Sequence, residues 1–278
     1  MSLQPVFVKL GGSLITDKTR PETPRREVIM RLAAELRQAL QARPELSIVL
    51  GHGSGSFGHW TASRYNTRDG VHGREAWIGF AEVAASATRL SQIVTDLMLQ
   101  AGVPVLCVRP FATARCKDGV LMALDAYPIR QALERDLVPL VHGDVALDDI
   151  RGGTIVSTEE IMVYLAEEIL PRRILLLGET SGVQWAHTPG GSLDGQVIPT
   201  ITPANIGTVE RSLGTSRGPD VTGGMASKVH QMLRLVQQHT HLSVDILSGL
   251  EPGLLTRALL DDASSFGTRI TADLESDA

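Results

Sequence analysis

Short apolar runs alternate along the chain with longer amphipathic stretches. Val6 to Leu10 reads as a strand, and Arg25 to Ala42 as a helix, because Val28, Ile29, Leu32, Leu36, Ala39 and Leu40 recur at helical spacing. Leu46 to Leu50 is a second strand, followed by a long helix from Trp77 to Gln100 and a strand from Val103 to Val108. The alternation continues with a helix at Ala126 to Arg135, a strand at Leu137 to Val141, a helix at Glu159 to Ile169 and a strand at Ile174 to Leu177. It closes with a helix from Gly224 to Gln238 and a strand from Val244 to Leu247. Short strands that are apolar on both faces and separated by helices predict a parallel sheet covered on both sides. Two stretches break the rhythm. Between Phe111 and Leu124, Lys117-Asp118-Gly119 supplies turn chemistry and predicts a hairpin. From Trp185 to Pro219 the chain is rich in Gly, Thr, Ser and Pro, which predicts ordered loops with small strands near Gln196 to Ile201. Without repeats or a long linker, residues 1–278 are expected to form a single α/β domain.

Charge narrows the function. Lys plus Arg total 26 against 31 Asp plus Glu, a formal net charge of −5. Mild acidity argues against general affinity for nucleic acid or an anionic membrane, which needs a basic face. Any bound phosphate must then be held by a few placed cations and backbone amides. The two cysteines, Cys107 and Cys116, make neither a disulfide framework nor a zinc site. No apolar stretch approaches the ~20 residues that span a bilayer. The N-terminus opens into a strand-like run and lacks a signal-peptide layout, so the expected location is the cytoplasm.

Ligands of open parallel sheets gather at the carboxyl ends of the strands, near helix N-termini. Glycine and polar residues cluster there: Gly11-Gly12-Ser13, the run Gly51 to His59, His142-Gly143-Asp144, and Gly178-Glu179-Thr180. Gly53-Ser54-Gly55-Ser56-Phe57-Gly58 matches a dinucleotide fingerprint formally, yet the helix, strand and acid that should follow are missing. A Walker-type phosphate loop is absent as well. Several short glycine turns offering backbone N–H groups remain as the phosphate cradle. Lys9, between Val8 and Leu10 in a buried strand, costs free energy unless its ammonium meets an anion. Lys18 follows the first turn, and Lys228 sits near a helix start where the dipole favours anions. His59, at an expected helix start after Gly-Ser-Phe-Gly, could donate to a phosphate oxygen or be structural. His52 and His142 read as satisfied core groups. Asp144 reads as a cap, as a group orienting a lysine, or as an outer ligand of Mg2+ through water. No His, Cys or carboxylate spacing makes a metal site from protein alone.

Together these motifs resemble the amino acid kinase superfamily, in particular its isopentenyl phosphate kinases. The resemblance rests on Val8-Lys9-Leu10-Gly11-Gly12-Ser13, the run to Lys18, Gly53-Ser-Gly-Ser-Phe-Gly-His59, His142-Gly-Asp144, and Asp220-Val-Thr-Gly-Gly-Met225 leading to Lys228. It implies a three-layer αβα sandwich with a mostly parallel central sheet. It also implies an acceptor-binding lobe over about 1–170 and a nucleotide-binding lobe over about 171–278. ATP with Mg2+ would phosphorylate isopentenyl phosphate, the partner being that small molecule alone, in a homodimer. The resemblance assigns Lys9, Gly11, Gly12, Ser13, Gly55, Glu179, Thr180, Trp185, Gly223 and Lys228 to the nucleotide. Ser54, Gly55, His59, Gly143 and Thr158 fall to the acceptor; Lys18 stabilises the transferring group, and Asp144 organises the lysines. Phe80, Val83 and Ile155 are candidate lining for the apolar tail. The chain departs from the family at Ser157-Thr158-Glu159-Glu160, where Ser-Gly-Asp-Asp is common, in the loop Gly178 to Gln184, and at Ser54. A phosphonate kinase, or a nucleotide-binding storage or regulatory protein on the same scaffold, is the competing expectation.

Overall fold

The computed structural model describes residues 4–185, 195–213 and 224–272. Strand Val6–Leu10 (β1) is followed by the short helix Gly12–Ile15 (α1), the amphipathic helix Arg26–Ala42 (α2) and strand Ile48–His52 (β2). Helices Gly55–Tyr65 (α3) and Gly73–Gln100 (α4) lead to strand Val105–Cys107 (β3). The expected hairpin is formed by Arg115–Lys117 (β4) and Val120–Ala123 (β5), turning through Asp118 and Gly119, both at positive φ. Next come Tyr127–Leu133 (α5), Val138–His142 (β6), Asp144–Asp148 (β7), Gly152–Val156 (β8) and Thr158–Ile169 (α6). The C-terminal part holds Arg173–Gly178 (β9), Thr200–Ile201 (β10), Ile206–Leu213 (α7) and Gly224–Gln238 (α8). Ser243–Ser248 (β11), Leu254–Leu260 (α9) and Thr268–Ile270 (β12) complete it.

The central sheet has the order β10-β12-β11-β9-β1-β2-β6-β3. Every adjacent pair is parallel except β11 with β12. Alternation along β1 turns Val6, Val8 and Leu10 to one face, where they pack with α2, α4 and α9 residues such as Leu32, Leu90 and Leu255. Phe7 faces the other way, into a core with Ile161 and Met162 of α6 and Val229 and Met232 of α8. The same alternation sends Lys9 to the α6 and α8 side. Helices on both faces give the three layers expected.

A second sheet of order β5-β4-β7-β8 was not foreseen in β7 and β8. The Gly152-Gly153 start of β8 and the polar Asp144, Asp148 and Thr154, all buried in the fold, break the apolar signal there. Helix α3 starts one turn before the helix start expected at His59, since Gly55-Ser56-Phe57-Gly58 opens it against propensity. It is held by tertiary contact: the Ser86 hydroxyl of α4 donates to the Phe57 carbonyl at 2.6 Å. Helix α6 starts on a capping box, with the Ser157 hydroxyl accepting from the Glu160 amide at 3.1 Å and Glu160 Oε2 accepting from the Ser157 amide at 2.6 Å. Among the described residues, no helix is long and apolar enough to cross a membrane.

Candidate active site

The carboxyl ends of β1, β2, β6 and β9 lie level, as the pairs Leu10 with His52, His52 with His142, and Leu10 with Leu177 show. Beyond them opens one cavity. It brings together Lys9, Gly11, Gly12, Ser13, Lys18, Ser54, Gly55, Gly143, Asp144, Thr158, Thr180 and Lys228, all of them expected at the site. The N-termini of α3, α6 and α8 border it through Gly55, Thr158 and Met225, so three helix dipoles direct positive ends toward it.

Glu159 on the first turn of α6 is the carboxylate among the cations. Lys9 Nζ donates to its Oε1 at 2.5 Å, and Lys228 Nζ lies 3.5 Å from the same oxygen. Burial alone would raise the Glu159 pKa, but the ammonium groups of Lys9 and then Lys228 outweigh it and hold the group at about 2. Glu159, not singled out for this from sequence, meets both lysines, and Asp144, expected to organise them, lines the same cavity. Asp144 begins β7, where its Oδ1 accepts from the Val145 amide at 2.9 Å, and its Oδ2 has no partner among the described residues. Burial raises its pKa against the opposing pull of His142. The sequence does mark a helix start at Ser157-x-x-Glu160 and so puts Glu159 in its first turn, but not the lysines that meet it there.

Two glycine turns meet at the cavity floor. A Cβ on Gly12 would stand 2.4 Å from the Gly55 nitrogen and 2.8 Å from its Cα, closer than packed atoms tolerate. Gly55 itself has φ +49°, and a Cβ there would lie 2.0 Å from Thr16 Oγ1. Gly12→Ala is therefore expected to push the turns apart and to lower kcat/KM by at least about tenfold, judged against misplacement costs of this kind. Steady-state kinetics of the variant beside the wild type check this.

One wall of the cavity is built around Thr158. Its Oγ1 donates to the His52 carbonyl at 2.7 Å and accepts from the Gly143 amide at 2.8 Å, fastening the ends of β2 and β6 to α6. The Gly143 amide is thus already engaged. His52 and His142 stack with centroids 5.3 Å apart. Each ring Nδ1 donates to the carbonyl of the next glycine, at 3.2 and 2.9 Å, while Nε2 of both lacks a partner among the described residues. They are core groups as expected, though only half satisfied. Burial, and secondarily its neighbour His142, lowers the His52 pKa to about 3, so the pair is neutral. Ala62, Val83, Ala87 and Ile155 add an apolar annex to the cavity. Phe80 stands behind it in a small cluster with Val71, Val83 and Val145. Arg68, not singled out from sequence, also lines the cavity and lies 3.3 Å from Glu160. His59 falls within α3; its side chain lies outside the described residues.

On the opposite side, Gly178 and Thr180 line the cavity. Glu179 and Trp185 are not among the lining residues. Glu179 pairs with Arg25 at 2.8 Å, and Trp185 packs against the apolar core. Gly223 lies outside the described residues.

The model of the Amino acid kinase family matches residues 4–247 of the chain. The isopentenyl phosphate kinase of Methanothermobacter thermautotrophicus is 31% identical over 273 residues, covering 96% of this chain and 98% of its own. That of Haloferax volcanii is 36% identical over 231 residues, covering 83% and 88%. Among solved structures, one described as "X-ray structures of isopentenyl phosphate kinase" superposes with a TM-score of 0.78 at 28% identity, covering 96% of this chain and 99% of that one. An isopentenyl phosphate kinase substrate complex gives a TM-score of 0.71 at 25% identity over 95% and 99%.

Proposed function

The chain belongs to the amino acid kinase family, and from that premise we propose that it transfers the γ-phosphoryl group of ATP to the phosphate of isopentenyl phosphate, releasing isopentenyl diphosphate and ADP. The observation that carries this reading is the meeting of Lys9, Lys18 and Lys228 in one cavity that also has an apolar annex. A short hydrocarbon tail ending in phosphate needs both halves: a dry wall of Ala62, Val83, Ala87 and Ile155, and cations beyond it.

The acceptor phosphate is already an oxyanion, so no strong base is required. Catalysis is then alignment plus stabilisation of charge spread over the phosphoryl group in flight. Lys9 and Lys228, fixed by Glu159, hold the nucleotide phosphates with the Gly11-Gly12-Ser13 turn. Gly55, Ser54 and His59 take the acceptor phosphate. Lys18 serves the group in transfer. Thr180, Glu179, Trp185 and Gly223 make up the nucleotide end.

Mg2+ fits as an ion carried by ATP. No group of three His, Cys, Asp or Glu among the described residues could cage it. Glu159 is committed to lysines, and the unpartnered Oδ2 of Asp144 suits a water of the ion's hydration shell. When bound, the ion neutralises charge on the phosphates. We also propose a homodimer, supported by exposed Leu106 on edge strand β3 and exposed Val120, Met122 and Leu147 on the second sheet. A cytoplasmic location is in keeping with Cys107 and Cys116 being free thiols.

ADP release coupled to NADH oxidation tests the activity. Release with isopentenyl phosphate and none without acceptor is expected. Faster turnover of fosfomycin, or equal release in buffer alone, overturns the assignment.

A further inference from the structure

Lys18 rides on an exposed loop between α1 and α2, and such a loop does not aim a side chain by itself. This one is tied down at a single acidic residue. Glu22 has φ 46°, the left-handed region that a glutamate adopts only when its surroundings impose it. Its Oε2 accepts from Arg89 Nε at 2.9 Å, its Oε1 accepts from Arg89 Nη2, and the same Oε1 accepts from the Ser86 hydroxyl at 2.7 Å. Arg89 thus grips the carboxylate with two donors, the arrangement that fixes direction as well as distance. The bond from Arg89, against the cost of burial, lowers the Glu22 pKa and keeps the group charged.

Ser86 is fully buried, and its one hydroxyl proton lies within reach of two acceptors, Glu22 Oε1 and the Phe57 carbonyl at 2.6 Å. It is a junction. One neighbour belongs to the loop of Lys18, the other to helix α3, which carries His59. Ser86 itself lies on α4 between Val83 and Ala87, which wall the apolar annex. The loop is steadied further where the Thr23 amide donates to Ser56 Oγ at 3.2 Å and the Asp17 amide to the Thr23 carbonyl at 2.9 Å.

We propose that Glu22, gripped by Ser86 and Arg89 of α4, is a positioning residue that holds Lys18 in register with the acceptor bound against the same helix. This rests on the reading of Lys18 as the cation that serves the phosphoryl group in transfer. The clamp's hydrogen bonds run between the Lys18 loop, α3 and α4, so its loss acts on the rate of transfer and leaves the binding of ATP in place.

The test is steady-state kinetics on the full chain with Glu22→Ala and Arg89→Leu, each alone and combined with Lys18→Ala. Each single variant is expected to lose roughly ten- to hundredfold in kcat. KM for ATP and for isopentenyl phosphate should stay within about threefold of wild type. In the Lys18→Ala background neither should cost more than about twofold further, because the group they position is gone. A loss that adds in full to that of Lys18→Ala, or one confined to KM, overturns the proposal. Arg89 is half exposed, so Arg89→Leu keeps the test open if Glu22→Ala does not fold. Should wild-type protein fail to turn over isopentenyl phosphate, the acceptor assignment falls and the clamp is judged separately by trypsin. Cleavage of the Lys18–Thr19 bond is expected to accelerate at least about fivefold in both variants through local opening, and equal rates overturn the clamp.

Discussion

Replacing Lys18 by alanine is expected to lower kcat by about two to three orders of magnitude, the loss typical of removing one group that stabilises transition-state charge. KM for ATP should change by less than about threefold. The asymmetry follows from where the cations stand. Lys9 and Lys228 share the Glu159 carboxylate, so part of their charge is already balanced and they act as a fixed anchor. Among the described residues, no carboxylate pairs with Lys18, which is exposed on its loop at the cavity. It is therefore the cation with charge to spare for oxygens that become more negative as the phosphoryl group loosens from ADP. Steady-state kinetics in both substrates would decide the matter. A kcat within threefold of wild type would falsify the assignment and leave the lysine a surface residue.

Glu159→Gln should be strongly destabilising. It removes the charge that compensates a buried ammonium while preserving shape and most hydrogen-bonding capacity. Breaking a buried pair by removing one partner costs about 3–5 kcal/mol. For a chain of this size that corresponds to a fall in Tm of about 10 °C. The pH dependence has a definite sign. With its pKa held at about 2, Glu159 contributes stability that is present above the ordinary carboxyl range and lost as pH falls through the interval toward about 2. Wild-type Tm should thus drop between pH 5 and pH 2 more steeply than that of Glu159→Gln. Differential scanning calorimetry of both proteins across that range measures the difference, and parallel curves would show that the lysines do not depend on this acid. Activity should fall too, because Lys9 and Lys228 lose their common anchor.

The parallel sheet was legible because its strands are apolar on both faces, and Lys9 stood out because it interrupts one of them. The glycine turns were legible for the complementary reason: they occur at strand ends, where a ligand needs close approach to backbone. What escaped is instructive. Glu159 was noted only as a departure from a familiar pattern, since its importance lies in two lysines that reach it from residues 9 and 228. Asp144 drew attention by following a strand end, and it is buried at the same cavity, where its Oδ1 is taken by the Val145 amide. The strands β7 and β8 were missed where buried polar residues (Asp144, Asp148 and Thr154) and a Gly-Gly start break the apolar run, and the first turn of α3 where packing against α4 overrides its glycines. For Glu159 and α3 the deciding contact joins residues far apart in sequence, which local periodicity does not register.

Strand β1 has a further consequence, for how the molecule is made. Its two neighbours come from different times in synthesis: Val6 is opposite Ile48 on one side and opposite Arg173 on the other. At ordinary elongation rates, roughly ten seconds pass between the emergence of the first neighbour and that of the second. Through that interval an apolar ribbon carrying a lysine waits with one edge open to intruding chains. Such long-separation pairing makes for slow folding, and the nascent chain must be guarded by helpers or by haste until its middle is closed.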